Sequence, residues 1–198
     1  MASLTGHRCI TGGGRTGVRR LLVLTACVIQ LAAVTASADA PAETRVAVQE
    51  DHGLYRVAAT FIVPQPARIA MAVLTDYDNI ARFMPGVRTS RVLTRCDDDV
   101  VVEQEAVARF MMFSKPIHLV LEIREGLRNL RFRDRSATSF TRYEGAWTLT
   151  EEDGRTHIAY QLTARPSFEV PEFLLKKLLR RDSTAMIEHL QAEIAARR

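Results

Sequence analysis

Two short helix signals interrupt this chain where a run of strands would otherwise continue. Pro64 and Pro66 stop a strand-like segment, and Pro66 suits the first turn of a helix whose inner stripe is Ile69, Ala70, Val73 and Leu74. Thr75-Asp76-Tyr77-Asp78 then opens a second turn carrying Ile80 and Phe83, and Pro85-Gly86 ends it before strand-like residues 87–93. A chain makes this interruption when a sheet curls and one end of its concave face must be closed. Asp76 and Asp78 stand where helix caps belong, so capping accounts for them better than a catalytic carboxylate pair.

On either side of the interruption the apolar period is two. Residues 46–49 and 54–63 form a predicted hairpin across Asp51-His52-Gly53, with Tyr55, Val57, Ala59, Phe61 and Val63 on one face. Segments 87–95, 100–110, 116–124, 128–135, 139–150 and 156–164 follow, joined by short polar turns, which favours an antiparallel meander. From Pro171 onward the period becomes helical, with Leu174, Leu178, Met186, Leu190 and Ile194 spaced by fours and eights. The fold class predicted is α+β: a seven-stranded curved antiparallel sheet, the first hairpin counted as one strand, wrapped around a long C-terminal helix. The two short helices after strand 1 close one end, and a gap between sheet and helix becomes an apolar cavity.

Arg8, Arg15, Arg19 and Arg20, with no acids among them, precede an apolar run over residues 21–34, and Ala36-Ser37-Ala38 offers a small-residue cleavage site. This layout predicts a secretory signal peptide over residues 1–38 and one domain over residues 39–198, exported to the periplasm or secreted. An anchor left uncleaved is the alternative. Those four arginines account for the whole formal charge of +4, leaving 23 basic and 23 acidic side chains beyond the leader. A neutral domain lacks the electrostatic footprint expected for nucleic acid or an anionic surface, and the local basic clusters Arg128-Arg131-Arg133-Arg135 and Lys176-Lys177-Arg180-Arg181 read as solvated faces of a strand and a helix. Cys96 is the one cysteine beyond the leader, so no internal disulfide is expected, and the domain is expected to be a monomer.

Few residues carry a chemical signal. Asp182 falls in the row Leu174-Leu178-Asp182-Met186-Leu190 and is expected to point inward with it. A buried carboxylate is costly unless hydrogen-bonded or protonated, so Asp182 is either a ligand contact or general acid, or else wet and arginine-paired at a cavity mouth. Gln104 shares a strand face with Val100, Val102, Ala106 and Ala108, and can bond a ligand carbonyl or a cross-strand neighbour. Tyr143 and Trp147 flank Gly145, which permits close approach. Phe83, Phe132, Tyr160, Leu178 and Met186 complete the expected lining. The run Phe110-Met111-Met112-Phe113 is either an apolar tip, serving as portal lip or transient membrane contact, or a pair of half-buried strand ends. His52, His118, His157 and His189 are scattered without metal-ligand spacing. Without a nucleophile elbow, phosphate loop or dinucleotide fingerprint, no catalytic residue, metal or cofactor is expected.

Taken in order, Leu74-Thr75-Asp76-Tyr77-Asp78, Phe83-x-Pro85-Gly86-Val87, Ser90-x-Val92-Leu93, Tyr143-x-Gly145-x-Trp147 and the terminal helix resemble the START/Bet v 1-like superfamily, the helix-grip fold. Within it the chain is most similar to the polyketide cyclase/dehydrase and coenzyme Q-binding (COQ10-like) START branch, over about residues 46 to 194. The resemblance implies a hydrophobic ligand, lipid-, isoprenoid- or quinone-like, held between helix and sheet. Two other functions stay open: a cyclase or dehydratase using Asp182 with Tyr143 or Gln104, and a protein-interaction module using the same groove.

Overall fold

Alternating apolar and polar side chains give each strand one dry and one wet face, and in the computed structural model these faces align into a single antiparallel sheet. The structure describes residues 44–110 and 113–197; the predicted leader over residues 1–38 and the tip residues Met111 and Met112 lie outside the described residues. The chain runs β1 (Arg45–Asp51), β2 (Leu54–Val63), α1 (Ala67–Leu74), a 3-10 turn (Tyr77–Asn79) and α2 (Ile80–Phe83). It continues through β3 (Val87–Cys96), β4 (Asp99–Phe110), β5 (Phe113–Gly126), β6 (Asn129–Asp134), β7 (Phe140–Glu152), β8 (Arg155–Pro166) and α3 (Glu172–Ala196). The spatial order is β1-β2-β8-β7-β6-β5-β4-β3, so the interruption after β2 is what sends β3 to the opposite edge.

The sheet has eight strands rather than seven. β1 is a full strand, paired with β2 from Arg45↔Thr60 to Asp51↔Leu54, and the two are joined by His52 (φ 49) and Gly53 (φ 77). Two consecutive left-handed residues make the tight hairpin whose twist matches its strands. Register shifts between Val87 and Thr89 and between Val92 and Thr94 bend β3 along β4, which helps the sheet curl.

The inner face follows the predicted period in every central strand. Val57 opposes Leu162, Phe61 opposes Ile158, and Val102 opposes Leu121. Phe61, Ile158, Val100 and Val102 are at most 2% exposed, and Ala70 and Val73 of α1 are fully buried. Burying one such side chain contributes roughly 1.5–3 kcal/mol. α1 and α3 begin directly after Pro66 and Pro171, where a missing N–H costs nothing.

Two predicted details are corrected. First, the buried row of α3 is Leu175, Ser183, Ile187, Leu190 and Ile194, not one passing through Leu174, Leu178 and Asp182. A row of fours drifts by roughly 40° per step on a helix of 3.6 residues per turn, so five steps carry it roughly halfway around the axis. Second, Asp76 and Asp78 make no side-chain cap. Asp76 Oδ1 accepts from Asn79 Nδ2 at 2.8 Å and its Oδ2 accepts from Arg197 Nη2 at 2.6 Å, while Asp78 Oδ1 accepts from the Val92 backbone N–H at 2.8 Å. These carboxylates tie α1 and α2 to α3 and β3 instead.

Candidate functional site

Directly opposed residues in an antiparallel sheet project on the same side, so the pairings place Phe132, Tyr143, Gly145, Trp147, Tyr160 and Gln104 together on the inner face. Phe132 opposes Gly145, and the missing side chain there is what lets the ring lie on the sheet. A Cβ at Gly145 would fall 2.5 Å from Phe132 Cζ and 2.2 Å from the Gln161 carbonyl oxygen. The Phe132 ring stacks on Tyr160 with centroids 6.4 Å apart and tilts against Tyr143 at 5.9 Å. Trp147 and Tyr160 are closer, at 4.3 Å. Four predicted aromatics therefore form one continuous wall.

Other members extend it. Gln104 is half-buried on β4, and its Nε2 donates to the cross-strand Ser90 Oγ at 3.2 Å. Of the two roles open to Gln104 from sequence, the structure shows the cross-strand bond. Met186 and Phe83 are half-buried and packed against the core, and Leu178 is half-buried on α3. Asp182 does not point inward with the apolar row; of its two readings the structure shows the wet, arginine-paired one, with its Oδ1 accepting from Arg181 Nη2 at 2.7 Å. Its place in the buried row is taken by Ser183, for the drift already described. β4 and β5 run up to Phe110 and from Phe113, which pair with one another.

Two wall residues escape the sequence pattern. Phe140 reaches Tyr143 with ring centroids 4.9 Å apart, and Phe168 reaches Phe140 at 6.5 Å. Residues three apart on a regular strand face opposite ways, but a register shift between Phe140 and Arg142 brings Phe140 round to the inner side. Phe168 lies in the connection before α3, where no periodicity exists to place it. The Lys115 ammonium sits 4.9 Å over its ring.

Electrostatically the wall is quiet. Burial pushes the Tyr143 phenol up to about 12, with the neighbouring Tyr160 hydroxyl pulling it part of the way back. Burial and the Tyr143 oxygen push Tyr160 well above its ordinary value. Both phenols are neutral near pH 7, so they offer hydrogen bonds rather than a base. Among the described residues, no three His, Cys, Asp or Glu side chains come together as a metal site.

Two concavities are open to solvent. One, of about 610 Å³, lies at the hairpin end between β2, the end of β8 and the start of α3, lined by Tyr55, Arg165, Phe168, Pro171 and Leu175. Its Phe168 links it through Phe140 to the aromatic wall. The other, of about 790 Å³, lies on the outer face, among Glu122, Arg124, Arg131, Arg133, Glu144 and Gln161. Several of its charged side chains are ion-paired: Arg133 Nε donates to Glu122 Oε2 at 2.7 Å and Arg124 Nε to Asp99 Oδ1 at 2.8 Å.

A family model described as polyketide cyclase/dehydrase and lipid transport matches residues 63–191, more than half of the chain. No curated relative matches it. Among solved structures, a START superfamily protein from Mycobacterium smegmatis superposes with a TM-score of 0.62 at 14% identity, covering 71% of this chain and 97% of its own. The Zhui aromatase/cyclase from Streptomyces sp. R1128 gives 0.62 at 16% identity, covering 72% and 94%. The STAR-related lipid transfer protein from Xanthomonas axonopodis gives 0.60 at 15% identity, covering 77% and 98%. At these identities the likeness is one of fold.

Proposed function

We propose, since the chain belongs to the polyketide cyclase/dehydrase and lipid transport family, that it is an exported, monomeric carrier of a hydrophobic molecule. The cargo is lipid-, isoprenoid- or quinone-like and lies between the inner face of the sheet and α3. One observation carries this reading: the aromatic wall of Phe132, Tyr143, Trp147 and Tyr160 continues into half-buried Gln104, Ala106 and Ala108 on the same inner face. Apolar surface left partly uncovered on an inner face is free energy that an apolar guest can recover. The polar groups at hand, one carboxamide and two neutral phenols, suit orienting a single oxygen of such a guest. The cleft beside Phe168 supports entry from the hairpin end, where the β4–β5 turn makes transient membrane contact.

The phenol pair also supports a second reading, a cyclase or dehydratase in which Tyr143 and Tyr160 orient a substrate carbonyl. In that scheme the general acid has to come from somewhere other than Asp182, whose carboxylate is exposed and ion-paired. Native mass spectrometry of protein recovered from the cell envelope, followed by solvent extraction, tests the carrier. An apolar molecule is expected to leave with the protein fraction and to be lost in a Gly145→Leu variant. Protein that is always empty and binds neither lipid nor quinone would overturn the reading.

A further inference from the structure

The first half of α3 carries a second pattern that core packing does not use. Phe173, Lys177, Arg180 and Arg181 are spaced by threes and fours, so they lie along one side of the helix, and all four are exposed. Phe173 is 73% exposed, an unusual position for a large aromatic on a helix that otherwise covers a core. The cations around it are mostly uncommitted. Among the described residues no ion pair engages Lys177 or Arg180, whereas Arg181 pairs with Asp182, and Glu172 is taken by Lys176 at 2.8 Å. The arc thus holds three positive charges against the single Asp182 at its edge.

A second contact fixes where this arc sits. Arg181 Nη2 donates to the Arg109 backbone carbonyl at 2.7 Å, binding the helix to the end of β4. Lys115, whose ammonium lies over Phe168, is exposed at the start of β5 and opposes Ala108 of the inner face, so positive charge continues from α3 onto the hairpin. The 610 Å³ cleft ending at Phe168, Pro171 and Leu175 opens beside it.

We infer that the Phe173–Arg181 side of α3, with Lys115, is a docking surface for an anionic lipid bilayer. Cations attract the phosphate layer, and one exposed aromatic enters the headgroup region, as in helices that lie in an interface. Nucleic acid also attracts cations, but a stacking track for it uses several exposed aromatics, whereas one exposed phenylalanine beside a cleft lined by Phe168, Pro171 and Leu175 suits a lipid surface. The inference deepens the carrier reading, because it names the surface from which cargo is exchanged, and it rests on that reading for its purpose alone.

Co-sedimentation tests it, using protein purified from the envelope of expressing cells and vesicles of phosphatidylcholine, alone or equimolar with phosphatidylglycerol. Anionic vesicles are expected to carry the protein down and neutral ones to leave it in solution, with added salt releasing it. Lys177→Glu combined with Arg180→Glu is expected to weaken partitioning about tenfold or more, since each cation near an anionic surface contributes several-fold. Phe173→Trp adds a fluorophore whose emission shifts to shorter wavelength with anionic vesicles only. All three side chains point to solvent, so circular dichroism of the variants is expected to match the parent. Equal partitioning of parent and charge-reversed protein, or no association with anionic vesicles, overturns the inference. Mass spectrometry of the charge-reversed protein separates the two claims: cargo retained with vesicle binding lost supports both, while vesicle binding by an always-empty protein sinks the carrier and leaves the docking surface.

Discussion

The two ends of the sheet–helix sandwich use similar apolar residues and bury them to different degrees. At the α1 end, Phe61, Val63, Val100 and Ile158 from the sheet and Ile187, Leu190 and Ile194 from α3 are each 2% exposed or less. Arg197 secures that end, donating to both Asp76 and Glu193, at 2.6 and 2.9 Å. At the hairpin end, Gln104, Ala106, Phe132 and Tyr143 of the sheet and Leu178 and Met186 of α3 are all half-buried. One helix therefore serves as core in its second half and as cover in its first. Stability concentrated at one end leaves the other free to rearrange without unfolding the domain.

That contrast can be broken most directly at Leu190. Leu190→Ala removes a fully buried side chain and is expected to cost about 2–5 kcal/mol in urea unfolding. A loss below about 1 kcal/mol would mean the α1 end is not the rigid end. Next comes Gly145→Ala. Its Cβ would meet the Gln161 carbonyl at 2.2 Å and the Phe132 ring at 2.5 Å, and backbone cannot step aside as a side chain can. We expect about 1–3 kcal/mol of destabilisation, with weaker binding of any apolar guest because Phe132 must lift off the sheet.

A smaller effect is expected at Arg197. Asn79 and Arg197 both donate to the Asp76 carboxylate and hold its pKa below the ordinary carboxylate value. A depressed folded pKa contributes stability that is complete above about pH 4 and is lost as pH falls through the lower folded value. Arg197→Ala is expected to cost about 1 kcal/mol at neutral pH and to flatten the acid limb of a stability profile. An unchanged acid limb would show that the clasp does not contribute. The opposite limb belongs to the aromatic wall. Tyr143 is raised from 10.0 to about 12, so its contribution is complete below pH 10 and declines as pH rises through about 12. Tyr143→Phe is expected to flatten that alkaline limb and leave neutral stability nearly unchanged. At neutral pH Leu178→Ala is also expected to be mild, at about 1 kcal/mol or less, since the side chain is only half-buried. A Leu178→Ala loss equal to that at Leu190 would erase the distinction between the two ends.

The strands were legible because period two survives wherever one face is dry. Tyr55 through Val63, and Val100 with Val102, show it in their burial. The aromatic wall was legible for the same reason, since Tyr143, Gly145 and Trp147 alternate on one strand. What stayed hidden depends on geometry that alternation does not encode. Phe140 joins the wall through a register shift, and Ser183 rather than Asp182 faces inward because helical rows drift. Asp76 and Asp78 sit at positions that favour caps, but besides the local Asn79 their oxygens meet partners 121 and 14 residues away, a tertiary choice no local rule predicts. The eighth strand was present in the residues and was lost only by counting a hairpin as one element.

Trp147 is the sole tryptophan of the chain, and it lies 4.3 Å from Tyr160 and edge-on to Phe61 at 6.5 Å. Its indole thus forms part of the floor on which a guest would rest, while being too enclosed for water to quench. The domain consequently carries its own optical gauge of occupancy. A quinone settling on Phe132 would darken the ultraviolet emission, whereas a saturated lipid would only shift its colour.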